Sequence, residues 1–135
     1  MMNLLFDIEN GQAPDIEGLS YMQEFITADE GGALLKAIDQ SHWLTDLKRR
    51  VQQYGYKYDY KARAVTNDSY LGELPEWGEP IAKRLYDQDI FQAAPDQVIV
   101  NEYEPGQGIS AHIDCVPCFG NTVASLTLGS GAIMA

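Results

Sequence analysis

Pro95-Asp96-Gln97-Val98-Ile99-Val100-Asn101-Glu102-Tyr103-Glu104-Pro105-Gly106-Gln107-Gly108-Ile109-Ser110-Ala111-His112-Ile113-Asp114 is the stretch whose reading decides the fold. Val98 and Val100 alternate with Ile99, Asn101 and Tyr103, which predicts a strand. Side chains two apart on a strand share a face, so Asn101 and Tyr103 point together. Pro105, Gly106 and Gly108 then loosen the chain into a loop. His112 and Asp114 are again two apart, and on an extended segment they can grip one metal ion together.

Working outward, residues 121–128 read as a further strand, Gly129-Ser130-Gly131 as a turn, and residues 132–135 as the start of another strand. Upstream, residues 3–9 and 18–25 read as strands. Thr27 followed by Glu30 is a capping-box pattern, which predicts a helix through Leu34, Leu35 and Ile38. Residues 56–65 read as a strand. Residues 75–78 read as a turn, and Pro80 opens a second helix through Ile81, Leu85 and Tyr86. Helices thus come first and strands later. That order predicts an α+β domain with its β part a sandwich or barrel, one domain over residues 1–135.

At 135 residues the chain is long enough for one domain with a core and too short for two. No apolar run is long enough to cross a bilayer, which argues against a membrane protein. The first residues lack a basic start and a long apolar stretch, so no secretory signal is expected. Two cysteines make no disulfide framework, and the expected setting is cytoplasmic and reducing.

The net charge of −11 suits a nucleic-acid binder poorly, but the charge is uneven. Between residues 48 and 63, Lys48, Arg49, Arg50, Lys57, Lys61 and Arg63 face the single acid Asp59. That window stands at +5 and the rest of the chain at −16. Tyr54, Tyr56, Tyr58 and Tyr60 fall in the same window. Aromatics among cations can stack bases and hold phosphates, so nucleic acid is a candidate partner here. The plainer reading is a twisted strand with tyrosines on one face and polar groups on the other.

A His-x-Asp arises by chance in roughly one chain in six of this composition, so alone it says little. One neutral imidazole and one carboxylate suit Fe(II), and the 2-His-1-carboxylate facial triad is built from such parts. That triad needs a second His, and the other one, His42, lies far upstream.

Context adds weight. Asn101-Glu102-Tyr103-Glu104-Pro105-Gly106, then His112-Ile113-Asp114, then Ser125-Leu126-Thr127-Leu128-Gly129-Ser130-Gly131 resembles the core of the AlkB-like family of Fe(II)- and 2-oxoglutarate-dependent dioxygenases. The motifs cover residues 98–131. Arg49-Arg50-Val51-Gln52-Gln53-Tyr54-Gly55-Tyr56 resembles the family's segment before the core, which helps form the substrate lid. The resemblance implies a double-stranded β-helix (jelly-roll) core. It implies His112 and Asp114 as metal ligands and Asn101 and Tyr103 as contacts to 2-oxoglutarate. It places Arg49, Arg50, Tyr54 and Tyr56 toward substrate. It further implies Fe(II) as cofactor, and dioxygen and 2-oxoglutarate as co-substrates. The reaction implied is oxidative demethylation or hydroxylation of an alkylated nucleic acid (tRNA or DNA) or a protein.

Two features depart from the family pattern. No Arg follows Arg84 and no His follows His112, so the family's distal His and its carboxylate-binding Arg have no counterpart in this chain. The expectation is a partial jelly-roll, truncated at its C-terminus and inactive as an isolated fragment. Repair members often carry an acid two positions after the metal Asp, where this chain has Val116. A non-catalytic, β-barrel-like binding module or a remnant without a complete metal site stays open beside the enzyme. Cys115-Val116-Pro117-Cys118 has the spacing of half a zinc site or a redox pair. With no second such pair, and with Pro117 and Gly120 nearby, loop thiols are the expected reading.

Overall fold

The computed structural model describes residues 15–116 and 118–132. Its elements run α1 (Ala28–Asp39), β1 (Val51–Tyr54), α2 (Glu79–Asp87) and β2 (Val98–Asn101), with a 3-10 turn at Asn67–Ser69. Both helices and strands are present, but a strand lies between the helices, and no ladder follows β2 among the described residues. The strands expected at residues 3–9 and 132–135 lie at positions outside the described residues, wholly or for the most part.

Helix α1 starts where its capping box says. Thr27 Oγ1 accepts from the Glu30 backbone N–H at 3.1 Å, and Glu30 Oε1 accepts from the Thr27 N–H at 3.1 Å. Two of the helix's orphan donors are thereby satisfied. Leu34 and Ile38, four apart on one stripe, are buried. Helix α2 carries Pro80 in its first turn, where the missing N–H costs no hydrogen bond. Arg84 joins the two helices: it donates to the Phe25 carbonyl at 2.9 Å and to Glu30 Oε2 at 2.6 Å.

Strands β1 and β2 pair antiparallel, with Val51 opposite Asn101, Gln52 opposite Val100, Gln53 opposite Ile99 and Tyr54 opposite Val98. Beyond the strand end, the Glu102 N–H still reaches the Arg50 carbonyl at 3.1 Å. On its other edge, Val51 exchanges both backbone hydrogen bonds with Leu44. Val51 and Gln52 are each 1% exposed, so the core centres on this strand, with Leu34, Ile38 and Ala82. Gln52 is a buried amide, and it is satisfied: its Nε2 donates to the Ile38 carbonyl at 2.8 Å and its Oε1 accepts from Tyr54 Oη at 2.6 Å.

Three expected strands are absent. Residues 18–25 carry no strand and are closed at each end by a turn, where Gly18 (φ 82°) and Glu24 (φ 51°) leave the extended region. Residues 56–65 are not a strand either, since β1 ends at Gly55 (φ 78°). A Cβ there would stand 1.9 Å from the Asp96 carbonyl oxygen, so only glycine lets the chain pass β2 so closely. Downstream, Asp59 Oδ1 accepts from the N–H groups of Lys61 and Ala62, each at 2.9 Å, and folds residues 59–64 into a turn. The third is residues 121–128, which carry no ladder. Apolar alternation makes a strand only when a neighbour accepts its backbone groups, and no described segment does so. This segment instead returns to α1, where Leu128 lies near Gly31. The bend expected at Gly129 is present.

Candidate metal and co-substrate site

Antiparallel register sorts the residues around β1 and β2 onto two faces. Val51 and Gln53 share one face with Ile99 and Asn101, and beyond the ladder Arg49 and Tyr103 come to the same side. Gln52 and Tyr54 share the other with Val98 and Val100, and just past the ladder Arg50 meets Glu102. Arg49 and Arg50, read together as a lid pair, therefore point apart.

On the first face, Arg49 Nε donates to Asn101 Oδ1 at 2.8 Å. Its guanidinium lies 6.0 Å from the ring centres of both Tyr60 and Tyr103. Burial pushes the Tyr60 hydroxyl above the ordinary phenol range, while the charge and hydrogen bond of Arg49 pull it back. Gln53 exchanges hydrogen bonds with the backbone of Tyr58, accepting from its N–H and donating to its carbonyl. That anchors the turn of residues 59–64 over this face. Tyr58 meets Tyr60 edge-on at 5.1 Å and lies 5.7 Å from Phe119.

The same turn holds the His112 loop. Arg63 Nη2 donates to the Ile113 carbonyl at 3.3 Å. Cys115 and Cys118 are joined as a disulfide, against the expectation of free loop thiols, and their sulfurs pack 3.2 and 3.5 Å from the Arg63 carbonyl oxygen. Three residues apart across a tight turn, their Cα atoms stand 5.2 Å from each other, within disulfide reach.

No ladder runs through residues 110–115, yet His112 and Asp114 meet, with Nε2 and Oδ1 3.3 Å apart. The other ring nitrogen, Nδ1, lies 2.8 Å from the Ser110 carbonyl oxygen. A carbonyl only accepts, so Nδ1 carries the proton. In the neutral ring, Nε2 then turns its lone pair toward a carboxylate oxygen. An imidazole nitrogen and a carboxylate oxygen at this distance can share a proton or a metal ion. A backbone carbonyl orienting the far nitrogen is the usual outer support of a metal-bound His. The pair thus fits two positions of an iron site. No group of three or more His, Cys, Asp or Glu placed to share a metal occurs among the described residues, and His42 does not join the pair.

On the second face the remaining residues are engaged elsewhere. Arg50 clamps Glu102 with Nε on Oε1 at 2.6 Å and Nη2 on Oε2 at 2.8 Å, and lies 4.2 Å over the Trp43 ring. The clamp holds the Glu102 carboxyl below the ordinary range and raises Arg50. Tyr54 packs edge-on against Trp77 at 5.2 Å. Tyr56 packs on Tyr70 at 5.2 Å. Thus Arg49, Asn101 and Tyr103 come together, as do His112 and Asp114, while Arg50 and Tyr54 sit across the sheet. Tyr60, Arg63, Gln53 and Phe119 were not singled out by the sequence as site residues. Tyr60 and Arg63 lay within the basic tyrosine window, but nothing local marks Gln53 or Phe119.

Comparison with known proteins bears on the family of the chain. Residues 30–135 match the family model described as the 2OG-Fe(II) oxygenase superfamily. An Arabidopsis thaliana protein named alkylated DNA repair protein ALKBH8 homolog is 41% identical over 89% of this chain and 36% of its own length. The Mus musculus tRNA (carboxymethyluridine(34)-5-O)-methyltransferase ALKBH8 is 36% identical over 87% of this chain and 19% of its own length. A Caenorhabditis elegans DNA N6-methyl adenine demethylase is 28% identical over 89% of this chain and 43% of its own length. The chain spans less than half the length of each of these three relatives. With a family match over residues 30–135 and relatives that carry the AlkB-like names, this protein belongs to the 2OG-Fe(II) oxygenase superfamily, among its AlkB-like members.

Proposed function

We propose that this chain carries the metal- and co-substrate-binding elements of an Fe(II)- and 2-oxoglutarate-dependent dioxygenase that demethylates or hydroxylates an alkylated nucleic acid, tRNA or DNA. The observation that carries the reading is the pair His112 Nε2 and Asp114 Oδ1 at 3.3 Å, with Nδ1 tethered to Ser110. The superfamily implies a jelly-roll, and β1 and β2 are read as two of its strands.

His112 and Asp114 would hold Fe(II), and the metal, with 2-oxoglutarate and dioxygen, supplies the oxidation of a C–H bond. A facial triad requires one more protein donor, which the described residues do not include. Asn101 and Tyr103 share the face where 2-oxoglutarate would be oriented. Tyr58, Tyr60 and Phe119 form an apolar wall beside it that limits water. A nucleic-acid substrate is supported by the names of the relatives and by the +5 window of residues 48–63 in an otherwise acidic chain.

The test is calorimetric titration with Mn(II), which replaces Fe(II) without its oxygen chemistry. Stoichiometric binding is expected, lost in His112→Ala and in Asp114→Ala while circular dichroism stays unchanged. Full binding by the double variant overturns the reading and leaves a metal-independent binding module.

A further inference from the structure

We infer that Arg49 is a positioning residue that sets the Asn101 side chain as a hydrogen-bond donor toward the carboxylate of the co-substrate. The inference rests on the proposed function and goes one step further, because it assigns Arg49 to the co-substrate side of the site rather than to a substrate lid.

The argument begins with the chemistry of the two side chains. A guanidinium has donors and no acceptor. Whatever atom of Asn101 lies 2.8 Å from Arg49 Nε must be its carbonyl oxygen. An amide has one oxygen and one NH2, so the NH2 is turned away from Arg49 and offers its hydrogens to something else. An Asn left to itself presents either end. Arg49 removes that choice before any ligand arrives, and preorganisation of this kind lowers the cost of binding.

Charge points the same way. Arg50 and Arg84 each clamp a carboxylate, Glu102 and Glu30. Among the described residues no carboxylate makes an ion pair with Arg49. Instead, its cation is flanked by the rings of Tyr60 and Tyr103, which tolerate it without neutralising it. A part-buried positive charge beside a fixed amide donor suits a dicarboxylate such as 2-oxoglutarate. Register supports the arrangement: Asn101 is paired with Val51, and Arg49, two residues before Val51, reaches both Asn101 and the Tyr103 ring.

The experiment is 2-oxoglutarate titration of the Mn(II)-loaded full chain, followed by calorimetry, with Mn(II) affinity measured separately for each variant. Arg49→Met is expected to weaken 2-oxoglutarate roughly tenfold to a hundredfold while leaving Mn(II) affinity unchanged. Arg49→Lys keeps the charge without the planar fork and should fall between. Asn101→Asp gives the discriminating result. It keeps an oxygen for Arg49 and so keeps the fold, but it has no NH2 to donate and it neutralises the cation. It should therefore lose 2-oxoglutarate binding as fully as Arg49→Met, with thermal stability equal to or above the parent. Parental 2-oxoglutarate affinity in Arg49→Met or in Asn101→Asp overturns the inference and leaves the proposed function standing. A parent chain that binds Mn(II) but no 2-oxoglutarate overturns both.

Discussion

The two faces of the β1–β2 ribbon carry nearly the same chemistry and use it differently. The face toward α1 is closed on itself. Gln52 is buried and satisfied at both ends of its amide, Arg50 is neutralised by Glu102, and Tyr54 is held by Gln52 and Trp77. Trp43 Nε1, buried with no hydrogen-bond partner among the described residues, is the exception on that side, and the Arg50 cation over its ring supplies a different contact. The opposite face carries a cation that pairs with no carboxylate among the described residues and an amide with its donors turned outward, and it lies beside the loop where His112 meets Asp114. Polar groups matched to one another stabilise a fold, whereas a preorganised donor turned outward binds. The comparison teaches that adjacent residues of one motif, Arg49 and Arg50, divide these two tasks.

The hardest way to break the comparison is to remove the turn on which both faces depend. Gly55→Ala puts a Cβ 1.9 Å from the Asp96 carbonyl oxygen at φ 78°. A loss of about 3 kcal/mol or more is expected, read as failure to give a cooperative urea transition, with metal binding lost too. A parent-like transition would show that β1 and β2 separate there without cost.

A smaller effect should separate the faces. Gln52→Leu strands the Tyr54 hydroxyl and takes one of its bonds from the Ile38 carbonyl, which keeps the Ser41 N–H, and is expected to cost about 1–2 kcal/mol in urea denaturation. Mn(II) and 2-oxoglutarate affinities should not change. The mirror experiment is Arg49→Met, which should move affinity far more than stability. If Gln52→Leu weakened ligand binding as much as Arg49→Met, the division between faces would collapse.

The smallest effect concerns acid. Arg50 holds Glu102 below the ordinary carboxylate range, Arg84 does the same for Glu30, and backbone N–H groups do so for Asp59. A carboxyl depressed by folding favours the folded state above its unfolded value, and that contribution is lost as pH falls through the folded value. The melting temperature should therefore decline from about pH 5 downward. Glu102→Gln should flatten part of the decline and leave Mn(II) binding at neutral pH untouched. An unaltered acid profile would show that the exposed clamp contributes nothing to stability, as many surface ion pairs do.

Local signals were legible because local physics makes them. Thr27 and Glu30 announce α1, since a capping box involves four consecutive residues. Pro80 announces α2 by its own fixed φ. Residues 98–103 read as a strand, of which 98–101 form one, and the N-x-Y and His-x-Asp motifs led to the superfamily that the family comparison then showed. Residues 56–65 misled, because four alternating tyrosines imitate a strand while the positive φ of Gly55 and the Asp59 turn forbid it. Residues 121–128 misled for a different reason, as a period of two shows what a strand could bury and not who will pair with it.

The sequence by itself determined the helix starts, the short strand before Pro105, and the residue types of a metal and co-substrate site. Only the tertiary structure decided that Arg49 meets Asn101 and Arg50 meets Glu102, that Gln53 and Arg63 pin the site loops, and that Cys115 joins Cys118. The reason is register. Capping and proline act within one turn of chain, whereas the face a strand residue takes is set by hydrogen bonds to a partner about fifty residues away, and a slip of one position would exchange the two faces.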